Sequence, residues 1–139
     1  MSTEGSGAGE TLYEAVGGML FFERLVDGFY RRVATDEVLA RLYPEADYGP
    51  AKHRLTLFLG QYWGGPSTYS DERGHPALRM RHVPYSIGET ERDHWLAAMV
   101  ASLDELSPAA EVRGAMVEYF VRAAEHLRND SPLRVTGSA

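Results

Sequence analysis

Hydrophobic residues recur along this chain at helical spacing and nowhere alternate. From Met19 to Ala34 the apolar positions Phe22, Leu25, Val26, Phe29, Tyr30 and Val33 follow the i, i+3, i+4 rule, with Glu23, Arg24, Arg31 and Arg32 between them. Ala51, Leu55, Phe58, Leu59 and Tyr62 form a second such stripe, and Trp95, Leu96, Met99, Val100, Leu103 and Leu106 a third. Val112, Met116, Val117, Phe120, Val121, Ala124 and Leu127 form a fourth. Turn dipeptides separate helical periods here, not alternating ones, so hairpins are excluded. The pattern predicts an all-α domain of about six or seven helices, and 139 residues suffice for one hydrophobic core.

Local signals divide these helices. Thr11 and Glu14 have the spacing of a capping box, and Gly17-Gly18 breaks the short helix it opens. Asp36 leads into a short helix through Val38, Leu39 and Leu42, stopped at Tyr43-Pro44 because a residue before proline is pushed out of the α region. Pro50 opens the next helix and Gly64-Gly65-Pro66 ends it. Residues 67–75 read as polar loop and 76–83 as two helical turns fenced by prolines. Thr90 and Ser107-Pro108 are the expected starts of the last two helices. Residues 1–10 are expected to be a disordered head, 11–130 the domain and 131–139 a flexible tail. About 25 residues (64–88) separate two long helices, and an interval of that size in a compact domain is expected to be functional.

Composition narrows the chemistry. The chain has no cysteine, which excludes disulfides, thiolate metal sites and cysteine nucleophiles. Its net charge of −6 argues against nucleic acid. Met1 to Glu10 lacks the charged and apolar regions of a secretory signal, and no apolar run approaches the ~20 residues of a membrane helix. The expectation is a cytoplasmic protein with no membrane partner. Of its 14 basic residues all but Lys52 are Arg, and Arg73, Arg79 and Arg81 cluster beside His75 and His82. No acidic residue lies between Arg73 and His82, which suggests an anionic ligand.

None of the five histidines pairs at i, i+4, so a zinc or di-iron centre has no support, and no catalytic triad is legible. His82, on a segment bracketed by Pro76 and Pro84, either presents an imidazole nitrogen to a metal or is a structural histidine. Arg79 and Arg81 either pair with ligand carboxylates or form a solvated face. Phe29, Tyr30, Tyr43, Phe58, Tyr62, Trp63 and Trp95 make the neighbouring helices rich in aromatics. Their polar tips either satisfy one another or converge on a small polar ligand.

In order and spacing, several strings resemble the group II truncated haemoglobins, bacterial two-over-two globins. They include Tyr13-Glu14-Ala15-Val16-Gly17-Gly18, Phe29-Tyr30, Leu42-Tyr43-Pro44-Glu45 and Phe58-Leu59-Gly60-Gln61-Tyr62-Trp63-Gly64-Gly65-Pro66. Arg73-Gly74-His75-Pro76, Leu78-Arg79-Met80-Arg81-His82 and Glu91-Arg92-Asp93-His94-Trp95-Leu96 complete the set, over about residues 11–130.

The resemblance implies a truncated globin fold around haem b. It makes His82 the iron ligand and Tyr30, Tyr43 and Trp95 the polar groups around a ligand on the other face. Ala51 stands where many globins place a distal His or Gln, with Leu55 lining the same cavity. Arg79, Arg81 and Arg54 match the propionate region, and Phe58, Tyr62, Met80, Ile87 and Met99 are expected to pack on the macrocycle. The implied function is reversible binding of dioxygen and other diatomic ligands with slow release, for oxygen binding, scavenging or transport. Nitric oxide dioxygenation or peroxidase-like turnover, with a reductase as electron donor, is the alternative; a monomer or homodimer is expected. Ala51 offers no acid–base catalyst, which weakens the peroxidase reading.

Overall fold

The computed structural model describes residues 10–43, 47–73 and 87–128. Seven helices and no strand occur among them: α1 (Leu12–Ala15), α2 (Met19–Thr35), α3 (Glu37–Ala40), α4 (Gly49–Tyr62), α5 (Thr68–Arg73), α6 (Glu89–Glu105) and α7 (Ala110–Leu127). Helix α2 packs on α3, α4 and α6, while α6 pairs with α7 and touches α3. The α2/α4 pair thus lies over the α6/α7 pair, two helices on two, as the sequence predicts. The expected segments at residues 1–9, 76–83 and 131–139 lie outside the described residues.

The predicted α2 stripe is buried throughout: Phe22, Leu25, Val26, Phe29 and Val33 have no exposed surface. Met99 and Leu103 of α6 and Met116 and Phe120 of α7 are as completely covered. Burial contributes about 1.5–3 kcal/mol for each large apolar side chain, so this stripe dominates the stability of the layer contact. Helix α4 buries Ala51, Thr56, Phe58, Leu59 and Gly60. That face excludes Tyr62, which is 49% exposed, its ring lying on Tyr119 of α7. Val121 is likewise 47% exposed, so two residues expected in the core are on its rim.

Local punctuation differs from the expected pattern in three places. Thr68–Arg73 is helical, not loop. The Gln61 side chain donates to Ser70 Oγ (2.7 Å) and accepts from the Ser70 amide (3.0 Å), while Tyr69 is buried edge-on against Phe58. Tertiary contacts therefore stabilise a helix too short to form alone. Helix α6 starts after Gly88, not Thr90, because the Glu91 carboxylate accepts from the Gly88 amide at 2.8 Å. Helix α7 starts after Ala109, Ser107 having taken the left-handed conformation with φ 50°.

Helix α1 closes the end of the molecule. Thr11 and Glu14 form the predicted reciprocal cap, each backbone amide donating to the other side chain at 3.1 Å. The Tyr13 amide then donates to the Trp63 carbonyl at 3.0 Å, which docks α1 on the last turn of α4. Gly64 and Gly65 make this approach possible. Gly64 has φ +108°, and a Cβ there would lie 2.5 Å from Thr11 Cβ. A Cβ on Gly65 would meet the Tyr13 ring at 2.5 Å and the Gly60 carbonyl oxygen at 2.8 Å. Replacing Gly65 with Ala is expected to cost about 1–3 kcal/mol by displacing α1, measurable as a lower urea midpoint at unchanged helix content. A wild-type midpoint would contradict this close packing.

Candidate functional site

Phe29 and Tyr30 are consecutive on α2, so their side chains leave the helix about 100° apart and need walls on two sides. The fold supplies both. Phe29 is fully buried, and three rings stand edge-on to it: Tyr30 at 5.1 Å, Trp95 of α6 at 5.8 Å and Tyr43 at 6.3 Å between centroids. Tyr30 also meets Tyr43 at 5.4 Å and Tyr48 at 5.3 Å. Edge-to-face pairs at these separations are favourable beyond the area they bury. Three side chains with polar tips, from α2, the turn after α3 and α6, thus surround one apolar ring.

Trp95 is held from behind by Phe120 of α7, at 6.1 Å, and is only 6% exposed. Ala51, Phe58, Ile87 and Met99 are buried, and Leu55 is half-buried on α4. Arg54 is half-buried with no ion pair among the described residues, so its charge is available to an anionic group. Tyr62 is not brought to this cluster; its rings in contact are Trp63 (5.0 Å) and Tyr119 (4.2 Å). His82, Arg79, Met80 and Arg81 lie outside the described residues.

Two aromatic participants escaped sequence reasoning. Tyr48, just before Pro50 and α4, lies against Tyr30, and no local signal marks it beyond an aromatic among turn residues. Tyr119 was an off-stripe position of α7, yet its ring is covered by Tyr62, Trp63 and Phe120. Burial pushes its phenol up to about 12, with the neighbouring Tyr62 adding to the rise.

The whole matched stretch, residues 11–129, fits the model of the bacterial-like globins. The chain belongs to that family. A group 2 truncated haemoglobin of Bacillus subtilis is 37% identical over 119 residues, 86% of this chain and 89% of that protein. The X-ray structure of a thermostable haemoglobin from Thermobifida fusca superposes with a TM-score of 0.84 at 55% identity, covering 87% of this chain and 98% of that one. A truncated oxygen-avid haemoglobin from Bacillus subtilis gives 0.81 at 35% identity, covering 86% and 100%. This globin is of the group II truncated kind, with the two-over-two fold, and is a haem-binding protein that binds oxygen. Its described residues fit a haem: buried Phe, Met and Ile side chains offer an apolar wall, the Tyr30, Tyr43 and Trp95 rings gather around Phe29, and Arg54 makes no ion pair among the described residues. No helix among the described residues is long and apolar enough to cross a membrane.

The globin's α3 turn is tied to α6 by a side-chain hydrogen bond. Asp36 caps α3, its Oδ1 accepting from the Val38 and Leu39 amides at 2.9 and 3.1 Å, while Oδ2 lies 2.9 Å from His94 Nδ1. Desolvation works to raise the Asp36 carboxyl. The hydrogen bonds from His94, Leu39 and Val38, with the imidazolium charge, outweigh it and hold the group below its ordinary range. A depressed carboxyl stabilises the fold fully above its unfolded value, and that contribution is lost as pH falls through the folded value. Asp36→Asn is therefore expected to lower the thermal midpoint at neutral pH and to flatten the acid limb of a midpoint-against-pH curve. An acid limb identical to that of the wild type would remove Asp36 from the acid transition.

Proposed function

We propose that this protein binds dioxygen on haem b, with His82 as the iron ligand, and releases it slowly because Tyr30, Tyr43 and Trp95 donate hydrogen bonds to it. The convergence of those three side chains on Phe29 carries the reading. Haem iron held by one imidazole supplies an open position where a diatomic gas coordinates reversibly.

The chain's own residues set what happens to that gas. A small ligand that gained negative charge in this site would be favoured by hydrogen-bond donors. Two phenol hydroxyls and an indole N–H, the latter a donor only, offer that charge three directions of approach. Trp95 and Tyr30 are almost fully covered, so water competes poorly for these donors. Ala51 is small, buried and without a polar group, which leaves donation to the tyrosines and the tryptophan. Phe58, Ile87 and Met99 exclude water and so slow oxidation of the iron. Arg54, with Arg79 and Arg81, supplies positive charge for the propionates. The oxygen-avid globin of Bacillus subtilis has a similar fold, which agrees with tight retention.

A buried hydrogen bond to a charged acceptor contributes about 1.5–3 kcal/mol. Trp95→Phe and Tyr30→Phe are therefore each expected to speed oxygen dissociation about tenfold to hundredfold in stopped-flow measurements. Unchanged rates in both variants would remove the donors from the function. On the other face, His82→Ala is expected to abolish or greatly weaken haem retention, read as loss of the Soret band in the purified protein. Haem content equal to the wild type would refute His82 as the iron ligand.

A further inference from the structure

We propose that Asp36 and His94 are positioning residues for the distal donors: their contact locks the turn that ends in Tyr43 to the helix that carries Trp95. This rests on the reading of Tyr43 and Trp95 as donors to the bound gas, and it adds two residues that touch neither gas nor haem in that reading.

A continuous hydrogen-bond ladder leads from the Asp36 carboxylate to Tyr43. Its side chain fixes the first amides of α3, and its carbonyl accepts from the Ala40 amide at 2.8 Å. The Leu39 carbonyl accepts from Leu42 at 2.9 Å, and the Ala40 carbonyl from Tyr43 at 3.2 Å. Leu39, fully buried, pins the middle of this turn to the core. Orientation of the Tyr43 ring is thus set by a rigid turn whose start is the cap. On the other side His94 immediately precedes Trp95, so the imidazole reports the rotation and height of α6 at that residue. An ionised carboxylate only accepts, so Nδ1 is the protonated nitrogen and donates across the gap.

A second contact between these elements runs along the surface. Arg41 reaches Glu91 at 3.4 Å, but the arginine side chain is 65% exposed, and exposed pairs contribute little. The charged neighbours lining the groove beside the pair are engaged elsewhere. Arg32 donates to Ser102 Oγ, the Gly28 carbonyl and Glu105, and Asp93 pairs with Arg92. Asp36 and His94 therefore answer chiefly to each other.

Hydrogen bonds weaken steeply with distance and angle, so slack of even part of an ångström between Tyr43 and Trp95 reduces what both donate to one small ligand. Losing the lock should matter less than losing a donor. In the haem-loaded full chain, His94→Leu is expected to raise the oxygen dissociation rate about three- to tenfold. It should also move the C–O stretch of the carbon monoxide complex to higher frequency, because weaker donation near the oxygen end lessens back-bonding from iron. His94→Gln, which retains an N–H donor, should restore most of the wild-type band and rate. Asp36→Asn keeps an oxygen for the α3 amides but loses the charge, and should shift the band in the same direction. It serves as the second test should His94→Leu fail to fold.

A lowered thermal midpoint with an unshifted band and rate in His94→Leu and Asp36→Asn would overturn the proposal, leaving the pair a purely structural brace. Trp95→Phe in the same series separates the two failures. If it shifts the band and the His94 and Asp36 variants do not, only the positioning role falls. If Trp95→Phe is also silent, the distal reading beneath it falls as well.

Discussion

The burial of Phe29 organises this molecule. A phenylalanine with no exposed surface, followed directly by a tyrosine almost as deeply buried, forces α2 to be covered on two adjoining faces. One layer of helices cannot cover both directions. Tyr43 and Tyr48 pack on Tyr30, while Trp95 of α6, backed by Phe120 of α7, and Tyr43 pack on Phe29. Because an edge-to-face ring contact accepts only a narrow range of approach, Trp95 and Tyr43 are brought near Tyr30 by the same packing that excludes water from Phe29. Apolar core and polar site share one set of contacts, so the site inherits the rigidity of the core.

That arrangement needs α2 and α6 to approach closely, and small residues provide for it. A Cβ on Gly28 would lie 3.3 Å from Ser102 Cβ, and Ala98 is buried one turn before that serine. Ser102 is itself 1% exposed, but its hydroxyl donates to the Ala98 carbonyl at 2.8 Å and accepts from Arg32 at 3.2 Å. A buried polar group would otherwise oppose the contact; here it is satisfied from both helices. Glu105 receives Arg31 and Arg32 at the outer edge, where the exposed charges set register more than they add stability.

Residues whose burial follows from one helix alone were legible in the sequence. The α2 stripe, Trp95 and the Thr11–Glu14 cap depend on spacings of three and four, which a helix converts directly into a face. Tyr62 failed because helical spacing says which residues share a face, not how far along the neighbouring helix covers them; its ring lies on Tyr119 of α7 and is half exposed. Thr68–Arg73 failed because its helix is held by Gln61, nine residues earlier, and by Tyr69 against Phe58, neither of which is a local propensity. At the site, Tyr30, Tyr43 and Trp95 were reached through resemblance, since periodicity places each on a face without bringing the three together. Tyr48 and the Asp36–His94 contact, 58 residues apart, are wholly tertiary.

The three side chains proposed as donors stand on three separate elements, and this bears on how such a site responds to change. Ala51 contributes no polar group, and the proposed donors are divided among α2, the turn after α3 and α6. No single helix movement can withdraw all three, which favours retention of the ligand. The reverse also follows: any relative shift of two of these elements misaligns at least one donor. In that proposal the packing of helices, normally a matter of stability alone, would also set the rate at which the ligand leaves. On that basis substitutions that loosen α3 on α6 would change that rate before they unfold the protein, because hydrogen-bond geometry is lost over shorter displacements than apolar burial.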